Sequence, residues 1–287
     1  MRKSNKTLLV VIGGALLTIV ALAVSYRYIA TNTANYSTSV KLEKWESIVI
    51  GNNLLAKKIN LPAFSAISAD GNFDIEVTQA DKSNILVDTD KDTLSQIKVA
   101  VTGADLSLLE SLPVYVMFPT VVSTKITTTA LDNINLSGQT MLHADNIRTE
   151  NMTINMTGNS TAYLKAKVKT VHVNLLSNSE LHLDVGNSRA LDLKVSGNGE
   201  VYLSGVTKNL AIETLGNAAI DAGKLAADDV TIKAAGSSDV VVQANRKLTV
   251  ESAGDCAIRY IGNPEVTKNV VGESTVVKVG TDYSSAN

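Results

Sequence analysis

The chain has 287 residues, 45% hydrophobic and 19% charged, with a formal net charge of −2. That much apolar side chain can fill a folded core, which excludes an intrinsically disordered protein. Aromatic residues make up only 4%, so an interior must be built from Val, Ile, Leu and Ala, which suits a narrow core better than a wide sandwich.

Arg2, Lys3 and Lys6 precede an uncharged, largely apolar stretch from Thr7 to Tyr26. About 20 such residues cross the hydrocarbon core of a bilayer as one helix. The basic tail 1–6 is then expected to stay in the cytoplasm, with everything after Arg27 on the far side. This places the protein in a bacterial cell envelope, anchored in the inner membrane with its main domain in the periplasm or outside. Ala21-Leu22-Ala23 also offers the small-x-small pattern a signal peptidase accepts, and cleavage there would give a secreted protein. The apolar run is long for a signal core, which favours the retained anchor, and no cysteine lies nearby to carry a lipid.

Residues 27–62 read as a polar juxtamembrane connection with strand character near Ser47–Ile50, and Trp45 as part of a cap. The first thirty residues hold four basic and no acidic side chains, so the remainder carries 22 basic against 28 acidic and is net −6. That balance argues against nucleic acid or an anionic lipid surface as the main partner.

Ala69-Asp70-Gly71-Asn72-Phe73-Asp74-Ile75-Glu76-Val77 reads as strand, turn, strand, with Ile75 and Val77 facing inward. Asn84–Pro119 reads as larger, less regular coils closing the N-terminal end, with Pro113 and Pro119 at bends. From there the chain repeats itself. Small turn residues recur at Gly138, Gly158, Ser177, Gly197, Gly216, Gly236, Gly254 and Gly272, spaced by 18 to 20 residues.

Four residues before each landmark stand Ile134, Ile154, Val173, Leu193, Ile212, Ile232 and Val250, broken only by Lys268 in the last unit. Four residues after stand Leu142, Ala162, Leu181, Val201, Ile220, Val240, Ile258 and Val276. Between them polar residues alternate with apolar ones, the period of a strand on both sides of a turn. One such unit cannot bury its apolar face alone, but a stack of them builds one continuous core. The expected fold is all-β, a right-handed parallel β-helix with about 18–20 residues per coil over residues 63–280, preceded by the membrane helix 7–26 and followed by a polar tail, 281–287. Asn159, Asn178, Asn198 and Asn217 follow the landmarks, where Asn tolerates a left-handed bend and can bond along a stack.

From Phe64-Ser65-Ala66-Ile67-Ser68, through the Leu136-Ser137-Gly138 and Val195-Ser196-Gly197-Asn198-Gly199 turns, to Tyr260-Ile261-Gly262-Asn263-Pro264-Glu265-Val266, the chain resembles the head GIN domain family of auto-transporter adhesin heads, over about 220 residues. The resemblance implies an exported β-helical domain with no established catalytic activity. No set of amphipathic barrel strands follows the repeats before Asn287, so self-transport is not expected.

Two histidines, His143 and His182, fall in one outward column two coils apart, about 9.6 Å by strand spacing. That is too far to share an ion, and His172 belongs to another strand, so no metal site and no cofactor are expected. The same column reads His143, Tyr163, His182, Tyr202 and then Asp221, flanked by Glu180 and Glu200. Rings beside carboxylates on a flat sheet suit a sugar, whose apolar face covers a ring while acids bond its hydroxyls. Stacked rings also stabilise neighbouring strands without any ligand.

Glu180 and Glu200 on adjacent coils could supply the paired carboxylates of a carbohydrate-active lyase or hydrolase. Adjacent coils bring such groups close automatically, and no P-loop, dinucleotide fingerprint or dense calcium-binding cluster accompanies them. Cys256 stands where other coils have Ser160, Ser179, Gly199, Ala218 and Ser238, so packing explains it and no nucleophile is assigned. No catalytic residue is assigned. The expected activity is a non-enzymatic binding or scaffold module, whose partner is a glycan or an envelope protein.

Overall fold

A computed structural model describes residues 46–49, 54–111 and 120–280. The expected tail 1–6, membrane helix 7–26, Trp45, Pro113, Pro119 and tail 281–287 lie outside these residues. Among the described residues no helix is long and apolar enough to cross a membrane.

The chain folds as an all-β parallel solenoid. Strands β10 (Met141–Met156), β11 (Thr161–Ser177), β12 (Glu180–Gly197), β13 (Glu200–Gly216), β14 (Ala219–Gly236) and β15 (Asp239–Gly254) each trace nearly a full coil. Each bonds in parallel to the next, in register along most of its length. Leu142, Ala162, Leu181, Val201, Ile220, Val240 and Ile258 are direct partners in succession and all are buried. The column Ile134, Ile154, Val173, Leu193, Ile212, Ile232, Val250 is likewise continuous and buried. The aliphatic columns of the sequence are therefore the interior, because period-two alternation sends every second side chain of a parallel wall inside.

The tight turns form a column of their own. Gly138, Gly158, Gly197, Gly216, Gly236, Gly254 and Gly272 all have positive φ, and Ser177 fills the same place at φ 69. A Cβ on Gly216 would meet the carbonyl oxygen of Gly197 at 2.7 Å, and one on Gly236 that of Gly216 at 2.4 Å. Each glycine thus answers both to its own dihedral and to the backbone of the coil beneath. The left-handed residue is this landmark, not the Asn after it as the sequence suggested, since Asn146 and Ser177 are the only described non-glycines with positive φ. The asparagines do bond along the stack: Asn178 donates to Asn159, Asn198 to Asn178 and Asn217 to Asn198, at 3.3, 3.0 and 3.2 Å. A second ladder runs Asn174 to Asn155 to Asn135 to Ser68, at 2.8, 2.8 and 3.1 Å.

The N-terminal end departs from the expected coils. β3 (Ala66–Gly71) and β4 (Phe73–Gln79) pair directly with β9 (Asn133–Gly138) and β10, so Gly71 sits beneath Gly138 although 67 residues separate them. The intervening chain runs backward to build the end of the stack. β7 (Asp105–Glu110) and β8 (Val122–Thr128) lie on the other side of β3 and β4 as the outermost parallel rung. The described part of the stretch expected as coils, 84–111, is not a set of coils: β5 (Asn84–Asp90) runs antiparallel to β8 and to β2 (Leu54–Asn60), and β6 (Ile97–Thr102) forms an antiparallel hairpin with β7. β1 (Glu46–Val49) and β2 lie within the stretch expected as a connection, and they extend the same wall. The four-residue helix α1 (Lys91–Leu94) links β5 to β6, its first turn capped by the Asp90 carboxylate, which accepts from the Asp92 and Thr93 amides at 2.9 Å.

Phe64 and Phe73 are both buried at this end. In the coils, the amide after each landmark donates to the landmark carbonyl below, as Asn159 does to Gly138 at 2.9 Å. Beneath Gly71 there is no further glycine, and the amide of Asn72 donates instead to Glu110 Oε2 at 2.7 Å. Cys256 is buried with its thiol toward the Gly236 carbonyl at 3.5 Å, a packing role.

Candidate binding face

Directly after each turn the strand runs along one flat wall, and the second outward position of that wall carries the rings. His143 is the register partner of Tyr163, Tyr163 of His182, and His182 of Tyr202. Their ring centroids are 4.8, 4.6 and 4.5 Å apart, with interplanar angles of 4, 19 and 13°. The spacing is that of the strands themselves, so the parallel register sets the stack.

This geometry changes what the rings can offer. Tyr163 and His182 have both faces covered by neighbouring rings and present only edges and heteroatoms outward. Tyr202 is the last ring of the ladder, because its partner on the next rung is Asp221. It is 39% exposed, and its outer face is not covered by another ring. At the other end His143 pairs with Glu76, which holds Lys125 at 3.1 Å.

The carboxylates sit two residues before the rings on the same strands. Glu180 Oε1 meets His182 Nε2 at 2.7 Å, and the Tyr202 hydroxyl donates to Glu200 Oε2 at 3.4 Å. Glu180 and Glu200 are register partners, so two acids lie side by side along the ladder. Burial, together with the negative charges of Glu200, Glu180 and Asp221 and the bond to Glu200, pushes the Tyr202 phenol above its ordinary value. The hydroxyl therefore remains a donor at any physiological pH. All six residues singled out in the sequence thus share one wall, His143, Tyr163, Glu180, His182, Glu200 and Tyr202. His172 lies on a different wall, where it meets Asp192 at 3.1 Å.

A parallel solenoid with this ladder on one face belongs to the class of repeat proteins that present side chains from rigid sheet walls. The chain belongs to the family described as "Putative auto-transporter adhesin, head GIN domain", whose model matches residues 63–184 and 169–264. Solved structures share the fold. One from Parabacteroides distasonis, described as a "putative adhesin", is 22% identical, with 79% of this chain and 97% of that chain covered at a TM-score of 0.74. Another from the same organism, described as a "Putative lipid binding protein", is 21% identical, with 80% and 98% covered and a TM-score of 0.75. A third, a "putative adhesin" from Parabacteroides merdae, is 21% identical over 82% and 100% at a TM-score of 0.73. No protein of curated function matches the sequence.

Proposed function

We propose that this chain is an exported, non-enzymatic binding module of the bacterial cell envelope, and that it takes a glycan on the ring-bearing wall. Residues 7–26 anchor it in the inner membrane, and its coils are right-handed, the sense that crossovers between parallel strands overwhelmingly adopt. The observation that carries the reading is the exposed end of the ladder. Tyr202 is 39% exposed and turns toward Asp221 on the next rung a ring face on which no other ring stacks, with Glu200 and Glu180 beside it to accept sugar hydroxyls. The inner rings hold Tyr202 upright and rigid, so the ligand meets a surface that loses little freedom on binding.

A carbohydrate-active enzyme is the competing reading, since Glu180 and Glu200 adjoin. Each bonds its own ring through one carboxylate oxygen, Glu180 to His182 and Glu200 to Tyr202, which leaves the other oxygen to accept a hydroxyl, and both stand on a flat wall. A panel of neutral and acidic polysaccharides separates the two readings. Saturable binding without new reducing or unsaturated ends is expected, and turnover would make the protein an enzyme. Tyr202→Ala should weaken binding about tenfold, the cost of losing one stacking anchor, and Tyr163→Ala less, since its faces are already covered. Unchanged glycan binding in both variants removes the ladder as the site.

A further inference from the structure

The next wall of the coil carries a different pattern. Beyond the ring wall the strands turn a corner, where register shifts fall between Ala144 and Ile147, Lys165 and Thr170, and Asp184 and Asn187. On the wall that follows, Arg148, Lys167, Arg189 and Lys208 are exposed, and none makes an ion pair among the described residues. Arg148 is the register partner of Lys167. The pairs Ser188 with Thr207 and Ala190 with Asn209 place Arg189 beside Lys208, and Thr170 with Ala190 places Lys169 beside Arg189.

Like charges on neighbouring strands, about 4.8 Å apart, repel well within a Debye length of about 8–10 Å. One other wall of the same chain shows the opposite arrangement. On the third wall Lys194, Glu213, Lys233 and Glu251 are successive partners and alternate in sign, with Lys194 and Glu213 at 3.4 Å. The basic run is also bounded. Glu150 pairs with Lys169 at one end, Asp145 holds Lys165 at 3.6 Å, and Asp228 stands opposite Lys208 at the other.

We propose that this second wall binds a linear polyanionic polysaccharide, its acidic groups laid across successive coils. The repulsion within each cationic pair, Arg148 with Lys167 and Arg189 with Lys208, is relieved when the polymer's anions lie between them, and the arginines offer carboxylates a planar two-pronged contact. Exposed Asn187, Asn209 and Val206 on the same wall supply amides and an apolar patch for the sugar ring. The chemistry of the wall selects against two other polyanions. Among the described residues it carries no aromatic side chain on which bases could stack, and Val206 is the only exposed large apolar residue described there, too little to enter a lipid surface. The site is independent of Tyr202, on the neighbouring wall.

Polygalacturonate, dextran, single-stranded DNA and phosphatidylglycerol vesicles are titrated against the full-length chain, its Arg148→Gln/Lys167→Gln and Arg189→Gln/Lys208→Gln variants, and Tyr202→Ala. Polygalacturonate should bind the parent, weaken as salt rises, and lose about tenfold in each double variant, since each exposed ion pair is worth up to about fivefold. Tyr202→Ala should leave that affinity unchanged. The substituted side chains are exposed and their backbone bonds are kept, and circular dichroism checks the fold. Polygalacturonate binding undiminished from the parent in both double variants overturns the proposal, as does equal affinity of the parent for dextran, DNA or the vesicles. If Tyr202→Ala alone abolishes polygalacturonate binding, the ring wall is the site and the second wall is not.

Discussion

At the N-terminal end the outermost rung is covered: β5 lies antiparallel against β8 and β2 against β5, β6 lies against β7, and two phenylalanines are buried at this end. At the C-terminal end the last described rung is bare. β17 (Glu265–Gly272) pairs with β15 and β18 (Thr275–Lys278) with β16 (Ala257–Ile261), and nothing among the described residues lies beyond them. Val266, Val270 and Val276 are only half-buried there, and Val277 is 52% exposed. An inward side chain is buried by the rung on each side of it, so a final rung with one neighbour cannot complete its core. Lys268 follows from the same fact. It occupies the inward column above Val250 and is exposed, a charge that also discourages strand addition at an open edge.

The sharpest way to break this contrast is to truncate one side chain at each end. Phe73→Ala should lose about 3–5 kcal/mol, the usual cost of emptying a buried aromatic site, whereas Val276→Ala should lose less than about 1 kcal/mol. Denaturant unfolding measures both, and equal losses would mean that the two ends are held alike.

A smaller effect is expected in the turn column that runs between them. Gly216→Ala meets both a positive φ of 121° and the Gly197 carbonyl, and should lose about 1–3 kcal/mol. Ser177 holds the same left-handed conformation without a glycine's freedom, so Ser177→Gly should gain up to about 1 kcal/mol. A loss at Ser177 would show that its side chain contributes more than its backbone strain costs.

The smallest effect concerns pH at the covered end. Burial raises the Asp105 carboxyl above its ordinary 3.8, against the opposing hydrogen bond from Ser68 at 3.0 Å. The folded chain therefore binds a proton more tightly than the unfolded chain at this position. Stability falls as pH rises from about 3.8 through the raised value, and the penalty persists above it. Asp105→Asn keeps an acceptor for Ser68 and should raise the thermal midpoint at neutral pH, with the gain vanishing in acid. A gain that survives below pH 3.8 would assign it to packing instead.

Much of the fold was legible because the coils obey a local rule. Alternation marks the strands, the 18-to-20-residue period stacks them, and the ring column follows once the register is known. The N-terminal end was legible only in part. The unit at Gly71 carries the same signature as the later coils, but its distance from Gly138 conceals that the two are neighbours. Antiparallel additions such as β5 and β6 leave no periodic mark, because each occurs once. The second wall was missed for a related reason. Its cations fall in two columns, Arg148 beside Lys167 and, two residues further along the strands, Arg189 beside Lys208, and the corner bulges shift both relative to the turn, so no fixed column in the sequence collects them.

The sequence by itself determined the coil: which side chains face inward, where the chain turns, and which family the result resembles. Those properties depend on residues near one another in the chain and on a period that repeats. Only the tertiary structure decided the order of the first rungs, the coverage of the N-terminal end, and which ring faces remain open along the ladder. These depend on which coil lies against which, a choice made by burial and hydrogen bonding between segments distant in sequence.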